Sequence, residues 1–292
     1  MQEASQEAPD SRTRTSRADA TLTIAPAWRA CLEANGWRTL DDIFRQPNDA
    51  QLSKHGLPPW RERLRATLRE SSGQQQTVFV KRFRDIPLGE QLRRGLHGAW
   101  WHGTAHAEWK YLSELSRAGV RVAEPVAFGE EMAGCWEKRS AVVLGMAAGI
   151  SLERWCAGNT RLLPPAVLHE VAVLVAKFHA LGLAHRDLYL SHIFGDGLDT
   201  AAPQLTLIDL QRVVRLRGRR RWLVKDLAAL HHSTPEGSVS PRDRLRWFKR
   251  YLHLSIGRRN GLRGRLERRE RRFLHSILAR ARQMRRHDAR KT

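Results

Sequence analysis

The chain of 292 residues predicts an α+β fold: a small antiparallel-sheet part, then a mainly helical part, closed by a basic C-terminal helix. Three observations carry this. Two runs alternating with period two flank a turn within residues 63–83, the composition shifts to small, flexible residues at 145–149, and helical apolar spacing prevails afterwards. The length suits one large domain or two lobes with a substantial core.

Residues 1–20 are polar and aperiodic and read as a disordered arm. Residues 22–47 cluster Trp28, Leu32, Trp37, Leu40 and Phe44, suggesting one helix and a packed lead-in. Residues 63–69 and 77–83, joined by Ser71, Ser72, Gly73 and Gln74, form a β-hairpin signal. Residues 84–104, rich in Gly, Arg and Trp, read as a loop, and 105–117 as a helix with Gly119 just past its end. Residues 120–128 and 141–144 read as strands. Beyond 145–149, Pro164 and Pro165 open a helix packed by Val167, Leu168, Val171, Leu174, Val175 and Phe178, and Gly182 closes it. Short apolar runs near Ile193 and at 205–210 read as strands, and 223–233 and 241–256 as helices. The expected parts are the arm at 1–20, an N-lobe at 21–146, a C-lobe at 147–257 and a basic amphipathic helix at 258–292.

Composition narrows the function. Cys31, Cys135 and Cys156 are scattered and odd in number, which argues against a disulfide framework or zinc cluster and for a reducing cytoplasm. Glu3, Glu7 and Asp10 with no apolar core exclude a secretory signal at the N-terminus. The apolar run at 141–150 is too short to span a bilayer. A net charge of +21 calls for an anionic partner. Residues 258–292 hold fourteen basic residues against three acidic ones, an excess of eleven. Leu266, Phe273, Leu274, Ile277, Leu278 and Ala281 recur there at helical spacing, for a helix docked with an exposed Arg face or one that also touches anionic lipid. Nothing resembling an RNA- or DNA-binding motif accompanies the charge, so nucleic acid is not the expected partner.

Four pieces stand in a telling order. Lys81 lies near the end of the second hairpin strand, and Glu108 near the start of the next helix. His185-Arg186-Asp187-Leu188-Tyr189-Leu190-Ser191-His192 follows the Gly-terminated helix, and Leu207-Ile208-Asp209-Leu210 ends an apolar strand. Each alone suits an ordinary surface or turn role. Together they match the plan of kinase-like phosphotransferases, a two-lobed protein-kinase-like fold with ATP and Mg²⁺ as cofactors. Phosphoryl transfer requires charge neutralisation and alignment. Lys81 is expected to hold the α- and β-phosphates, Glu108 to fix Lys81, Asp209 to bind Mg²⁺, and Asp187 to accept the acceptor's hydroxyl proton. Glu114 is the other carboxylate near that helix. Asp226 either braces the catalytic loop through backbone N–H groups or makes an ordinary ion pair. His185 and Arg186 either orient Asp187 or pack and pair locally.

Two departures stand out. His192 occupies the position where protein kinases place an Asn on the metal, and only Gly56 lies where a Gly-rich phosphate loop belongs. The 16 residues from 210 to 225 are too few for a peptide platform, so the acceptor is expected to be a small molecule or a sugar. Arg215, Arg217, Arg219, Arg220 and Arg221 crowd that segment, either as a solvated loop or as a grip on acceptor phosphates or carboxylates.

At residues 185–192, at Leu207-Ile208-Asp209-Leu210-Gln211-Arg212 and at Arg221-Trp222-Leu223-Val224-Lys225-Asp226-Leu227, the chain resembles the bacterial lipopolysaccharide kinases (the Kdo/heptose kinase family), and among them the core heptose kinases more closely. The resemblance spans roughly residues 30–255. It implies an ATP-dependent kinase that phosphorylates a heptose of the lipopolysaccharide inner core, an anionic glycolipid. Such an enzyme would be cytoplasmic and peripheral at the inner face of the inner membrane, where an anionic lipid surface suits the basic tail and ten Trp. Alternatives are another small-molecule kinase of aminoglycoside-phosphotransferase type, or a pseudokinase acting as an envelope-assembly scaffold.

Overall fold

The computed structural model describes residues 13–14, 20–47, 58–96, 100–256 and 264–290. The chain divides into two compact units, Met1–Lys110 with Glu124–Met146, and Tyr111–Ala123 with Ala147–Thr292. The division after Met146 falls in the small-residue stretch at 145–149, but the second unit also takes residues 111–123. Of the expected disordered arm, all but Thr13–Arg14 and Ala20 lies outside the described residues, as do Gly56 and residues 258–263.

The first unit is built on a six-stranded antiparallel sheet in the order β1-β2-β5-β6-β4-β3. Its strands are β1 (Thr13–Arg14), β2 (Ala20–Ile24), β3 (Arg61–Arg69), β4 (Gln75–Arg84), β5 (Pro125–Ala133) and β6 (Trp136–Gly145). The β3–β4 hairpin runs in continuous register from Arg61 opposite Phe83 to Arg69 opposite Gln75. Its turn uses Gly73 at φ 83°, where a side chain would be strained. Period two sorts the faces: Leu64, Leu68, Val78 and Val80 point to one side and are buried.

Against that side pack α1 (Arg29–Ala34) and α2 (Leu40–Arg45), giving a core of Trp28, Leu32, Trp37, Leu40 and Ile43 with Val126 and Val143. Thr39 and Asp42 form a capping box at the start of α2. Arg82 is buried on the same side and donates to the carbonyls of Ile43, Phe44 and Gln46, satisfying the end of that helix. Residues 22–47 therefore hold a strand and two short helices rather than one helix. Their apolar residues are too few per turn to announce two separate segments.

Among the described residues this unit has two further helices, α3 (Leu88–Leu96) and α4 (His106–Arg117), the latter running past the unit's limit at Lys110. The expectation of a loop over 84–104 is corrected at α3. Its Leu88, Leu92 and Leu96 recur at helical spacing and are exposed, and Gly89 and Gly95 in a Gly-, Arg- and Trp-rich stretch made the segment read as a loop. The strand expected from residue 120 starts instead at Pro125, and Val122 makes an isolated parallel bridge to Leu207.

The second unit is mainly helical. It comprises β7 (Ile150–Ser151), α5 (Leu152–Gly158), α6 (Pro165–Ala180), β8 (Leu183–Ala184), β9 (Ile193–Asp196), β10 (Gln204–Leu207), β11 (Val214–Arg215), α7 (Arg221–Ser233), α8 (Pro241–Ile256) and α9 (Arg268–Asp288). The small sheets β10-β9-β7 and β11-β8 hold the loops that follow α6. Val167, Val171, Val175 and Phe178 bury the inner face of α6, and Gly182 at φ 72° ends it. The basic helix α9 docks on α7, with Ile277 and Ala281 buried and its arginines outward. An apolar cavity of about 300 Å³ lies among α6, α7, α8 and α9, lined by Val171, Leu227, Leu230, Trp247, Phe248 and Ile277.

Candidate active site

The first unit positions Lys81. It lies on β4 opposite Arg63 on β3 and Val142 on β6. Its Nζ donates to both carboxylate oxygens of Glu108, at 2.7 and 2.9 Å, and Glu108 is fully buried in the first turn of α4. Glu137 and Ser140 on β6 fix that turn. Thr104 donates its N–H (2.8 Å) and its hydroxyl (2.7 Å) to Glu137, and the Ala105 N–H donates to the Ser140 hydroxyl at 3.1 Å. Arg94 pairs with the same Glu137, whose carboxyl burial pushes up. Glu114, the other carboxylate considered beside Glu108, belongs to the second unit and pairs with Arg215 at 2.8 Å.

The second unit holds the loop at residues 185–192, between β8 and β9. Asp226 on α7 is fully buried and accepts the backbone N–H of His185 at 2.6 Å and of Arg186 at 2.7 Å. His179 on α6 lies 3.3 Å from the same carboxylate and shares its other ring nitrogen with Tyr251 at 2.9 Å. The brace holds Arg186 at φ 71°, an uncommon conformation for a residue with a side chain, and that turn presents Asp187. The Arg186 guanidinium stacks 4.8 Å over Trp222.

This loop is tied to the segment carrying Asp209. His185 Nε2 donates to the Ile208 carbonyl at 3.1 Å, and burial holds the His185 imidazole below its usual pKa, favouring the neutral ring. The Ile208 N–H donates to the His192 carbonyl at 3.0 Å. Asp209 itself takes a left-handed backbone, φ 60° and ψ 59°. His192 joins the two aspartates. Its Nδ1 donates to the Asp187 carbonyl at 2.7 Å, and its Nε2 lies 3.7 Å from Asp209 Oδ2. Among the described residues no group of three His, Cys, Asp or Glu is gathered for a metal. The Asp209 carboxylate fits magnesium, which takes oxygen ligands, keeps several waters and binds substrate phosphates, whereas the His192 imidazole is a poorer partner for that ion.

Sequence reasoning left two residues without a role, although both lie in quoted motifs. Arg212 Nη1 is 2.9 Å from Asp187 Oδ2 and 3.1 Å from Oδ1, and Lys225 Nζ is 3.9 Å from Oδ1. Their places, three after Asp209 and one before Asp226, were the available signal. The five arginines of the short segment, Arg215, Arg217, Arg219, Arg220 and Arg221, are all exposed. Arg215 is engaged by Glu114, Arg220 lies 5.5 Å from the Phe273 ring centre and Arg221 4.7 Å from that of Trp222.

Comparison with known proteins follows the same lines. The model of the Lipopolysaccharide kinase (Kdo/WaaP) family matches residues 61–251. Lipopolysaccharide core heptose(I) kinase WaaP of Pseudomonas aeruginosa is 32% identical over 187 residues, covering 60% of this chain and 69% of that protein. The Escherichia coli K12 protein of the same name is 30% identical over 204 residues, 66% and 76% of the two chains. The 3-deoxy-D-manno-octulosonic acid kinase of Xanthomonas axonopodis pv. citri is 27% identical over 238 residues, 74% and 86%. A solved structure of WaaP in complex with acyl carrier protein is similar at a TM-score of 0.63 and 26% identity, covering 90% of this chain and 98% of that one.

Proposed function

Because the chain belongs to the Lipopolysaccharide kinase (Kdo/WaaP) family, we propose that it transfers the γ-phosphoryl group of ATP to a hydroxyl of a heptose in the lipopolysaccharide inner core. The chain is a phosphotransferase acting on a sugar hydroxyl, with a protein-kinase-like fold. Heptose is favoured over 3-deoxy-D-manno-octulosonic acid because identity to the two heptose kinases, 32% and 30%, exceeds the 27–29% to the 3-deoxy-D-manno-octulosonic acid kinases.

The observation that carries the mechanism is the braced loop in which His192 links Asp187 to Asp209. Asp187 accepts the proton of the sugar hydroxyl and aims its oxygen at phosphorus. Lys81, held by Glu108, neutralises nucleotide phosphates, and Asp209 with His192 would hold Mg²⁺. Bound magnesium supplies charge neutralisation on the phosphate oxygens. His185, Arg186 and Asp226 keep the loop in place, and the exposed arginines at 215–221 meet the anionic groups of the acceptor.

The outward arginines of α9 support a peripheral location at the inner face of the inner membrane, and no helix of the described residues is long and apolar enough to cross a membrane. A carrier protein is a second partner for this chain, on the strength of the solved neighbour's complex.

The test offers ATP, Mg²⁺ and dephosphorylated core oligosaccharide, beside a panel of aminoglycosides, and reads products by mass spectrometry. One added phosphate on heptose is expected. Phosphate on amino sugars alone, or on no acceptor, overturns the proposal.

A further inference from the structure

Arg212 and Lys225 both reach Asp187, one from the turn after Asp209, the other from α7. As props for the loop they are redundant. Its backbone is already fixed by Asp226 and His192. As permanent partners they are counterproductive, because they occupy the carboxylate oxygens that the acceptor hydroxyl must reach. Their placement makes sense for a different anion. During in-line transfer the phosphoryl group lies next to the acceptor hydroxyl, and that hydroxyl sits on Asp187. A cation touching Asp187 is therefore within reach of the oxygens on which negative charge is spread.

Lys225 is the better placed of the two. Its side chain is only 20% exposed, against 54% for Arg212. Its Nζ lies 6.0 Å from the Trp222 ring centre, the same indole that carries the guanidinium of Arg186. It also sits one residue before Asp226, so the helix that braces the loop fixes its origin.

We infer that Lys225, with Arg212 beside it, turns from Asp187 to the transferring phosphoryl group and is a catalytic residue of the reaction. This rests on the ATP-to-sugar reading above. In the step, the bond from the acceptor oxygen to phosphorus forms and the hydroxyl proton passes to Asp187. The bond from phosphorus to the bridging oxygen breaks, its electron pair leaving with ADP, and Lys225 stays protonated throughout. The chemistry Lys225 recognises is phosphate oxygen, which the acceptor's own anionic groups could also supply, and the test separates the two sources.

Calorimetry compares MgADP alone with MgADP plus aluminium fluoride, a mimic of the group in flight, for wild type, Lys225→Met and Lys225→Arg. Steady-state kinetics on the core oligosaccharide and melting temperatures accompany it. Wild type should bind MgADP more tightly with aluminium fluoride present. Lys225→Met should bind MgADP within about twofold of wild type, lose most of that gain, and lose about 10²–10³-fold in kcat with both KM values held. Lys225→Arg should recover part of both. Retention of the fluoroaluminate gain and of kcat by Lys225→Met overturns the inference. So does a raised acceptor KM at unchanged kcat, which would place Lys225 on the acceptor's own anion. A low melting temperature for Lys225→Met transfers the decision to Lys225→Arg, where loss of both readouts without partial recovery counts against the inference. Wild type that transfers no phosphate to any sugar would instead mark failure of the ATP-to-sugar reading, while the fluoroaluminate arm still reports on Lys225.

Discussion

The loop at residues 185–192 and the arginine-rich segment at 215–221 are both short, polar stretches of the second unit, yet they are held in opposite ways. In the first, the charge that organises the backbone is buried: Asp226 takes two N–H groups, and His185 and His192 tie the loop to the Asp209 strand end. In the second, every arginine is exposed, and Arg215, Arg220 and Arg221 lean on Glu114, Phe273 and Trp222. On the proposed function, the contrast follows from what each would do. Proton and phosphoryl transfer depend on atoms held to fractions of an ångström, which takes buried hydrogen bonds. Attraction of an anionic glycolipid works through solvent and tolerates mobile side chains.

The sharpest way to break this contrast is Asp226→Ala. It strands two buried N–H groups and should cost roughly 3–5 kcal/mol of stability together with essentially all activity, read by denaturant melts and phosphate transfer. Activity retained at native stability would show that the brace is dispensable. Next, Glu108→Gln removes the charge that steadies Lys81 and should lower kcat/KM for ATP by about 10–100-fold, leaving the acceptor KM in place. Arg217→Ala with Arg219→Ala should act more gently, raising the acceptor KM by roughly 3–10-fold at low salt, with the effect shrinking as salt rises. An unchanged KM would reduce the segment to a solvated loop.

The smallest effect concerns pH. Burial, then the nearby Arg244 guanidinium 3.1 Å from Nδ1, pushes the His231 imidazole down from 6.5 to about 4. Between those values the unfolded chain holds a proton that the native chain does not, so stability from this group is complete above pH 6.5 and lost as pH falls toward 4. The melting temperature should fall across that window, and His231→Leu should flatten the fall.

The same contrast explains what could be read from sequence. The braced loop was legible because a buried carboxylate that takes two backbone N–H groups leaves few choices of residue, and Asp187, Asp209 and Asp226 stand at telling intervals. The β3–β4 hairpin was legible because one buried face enforces period two. The helix α3 was not: Leu88, Leu92 and Leu96 recur at helical spacing, but Gly89 and Gly95 within it and the Gly-, Arg- and Trp-rich stretch around it read as a loop. The pairing of Arg212 and Lys225 with Asp187 was hidden for another reason. It depends on how the turn after Asp209 and α7 each reach Asp187, long-range contacts that no local pattern encodes.

The most direct measurement is single-turnover transfer of phosphate from ATP to dephosphorylated core oligosaccharide by Asp187→Asn, with ATP binding and melting temperature measured on the same protein. The account predicts binding and stability close to wild type and a transfer rate lower by about 10²–10⁴-fold. Transfer at the wild-type rate would contradict it, because the loop that Asp226 and His192 hold in place would then be presenting a side chain the reaction does not use.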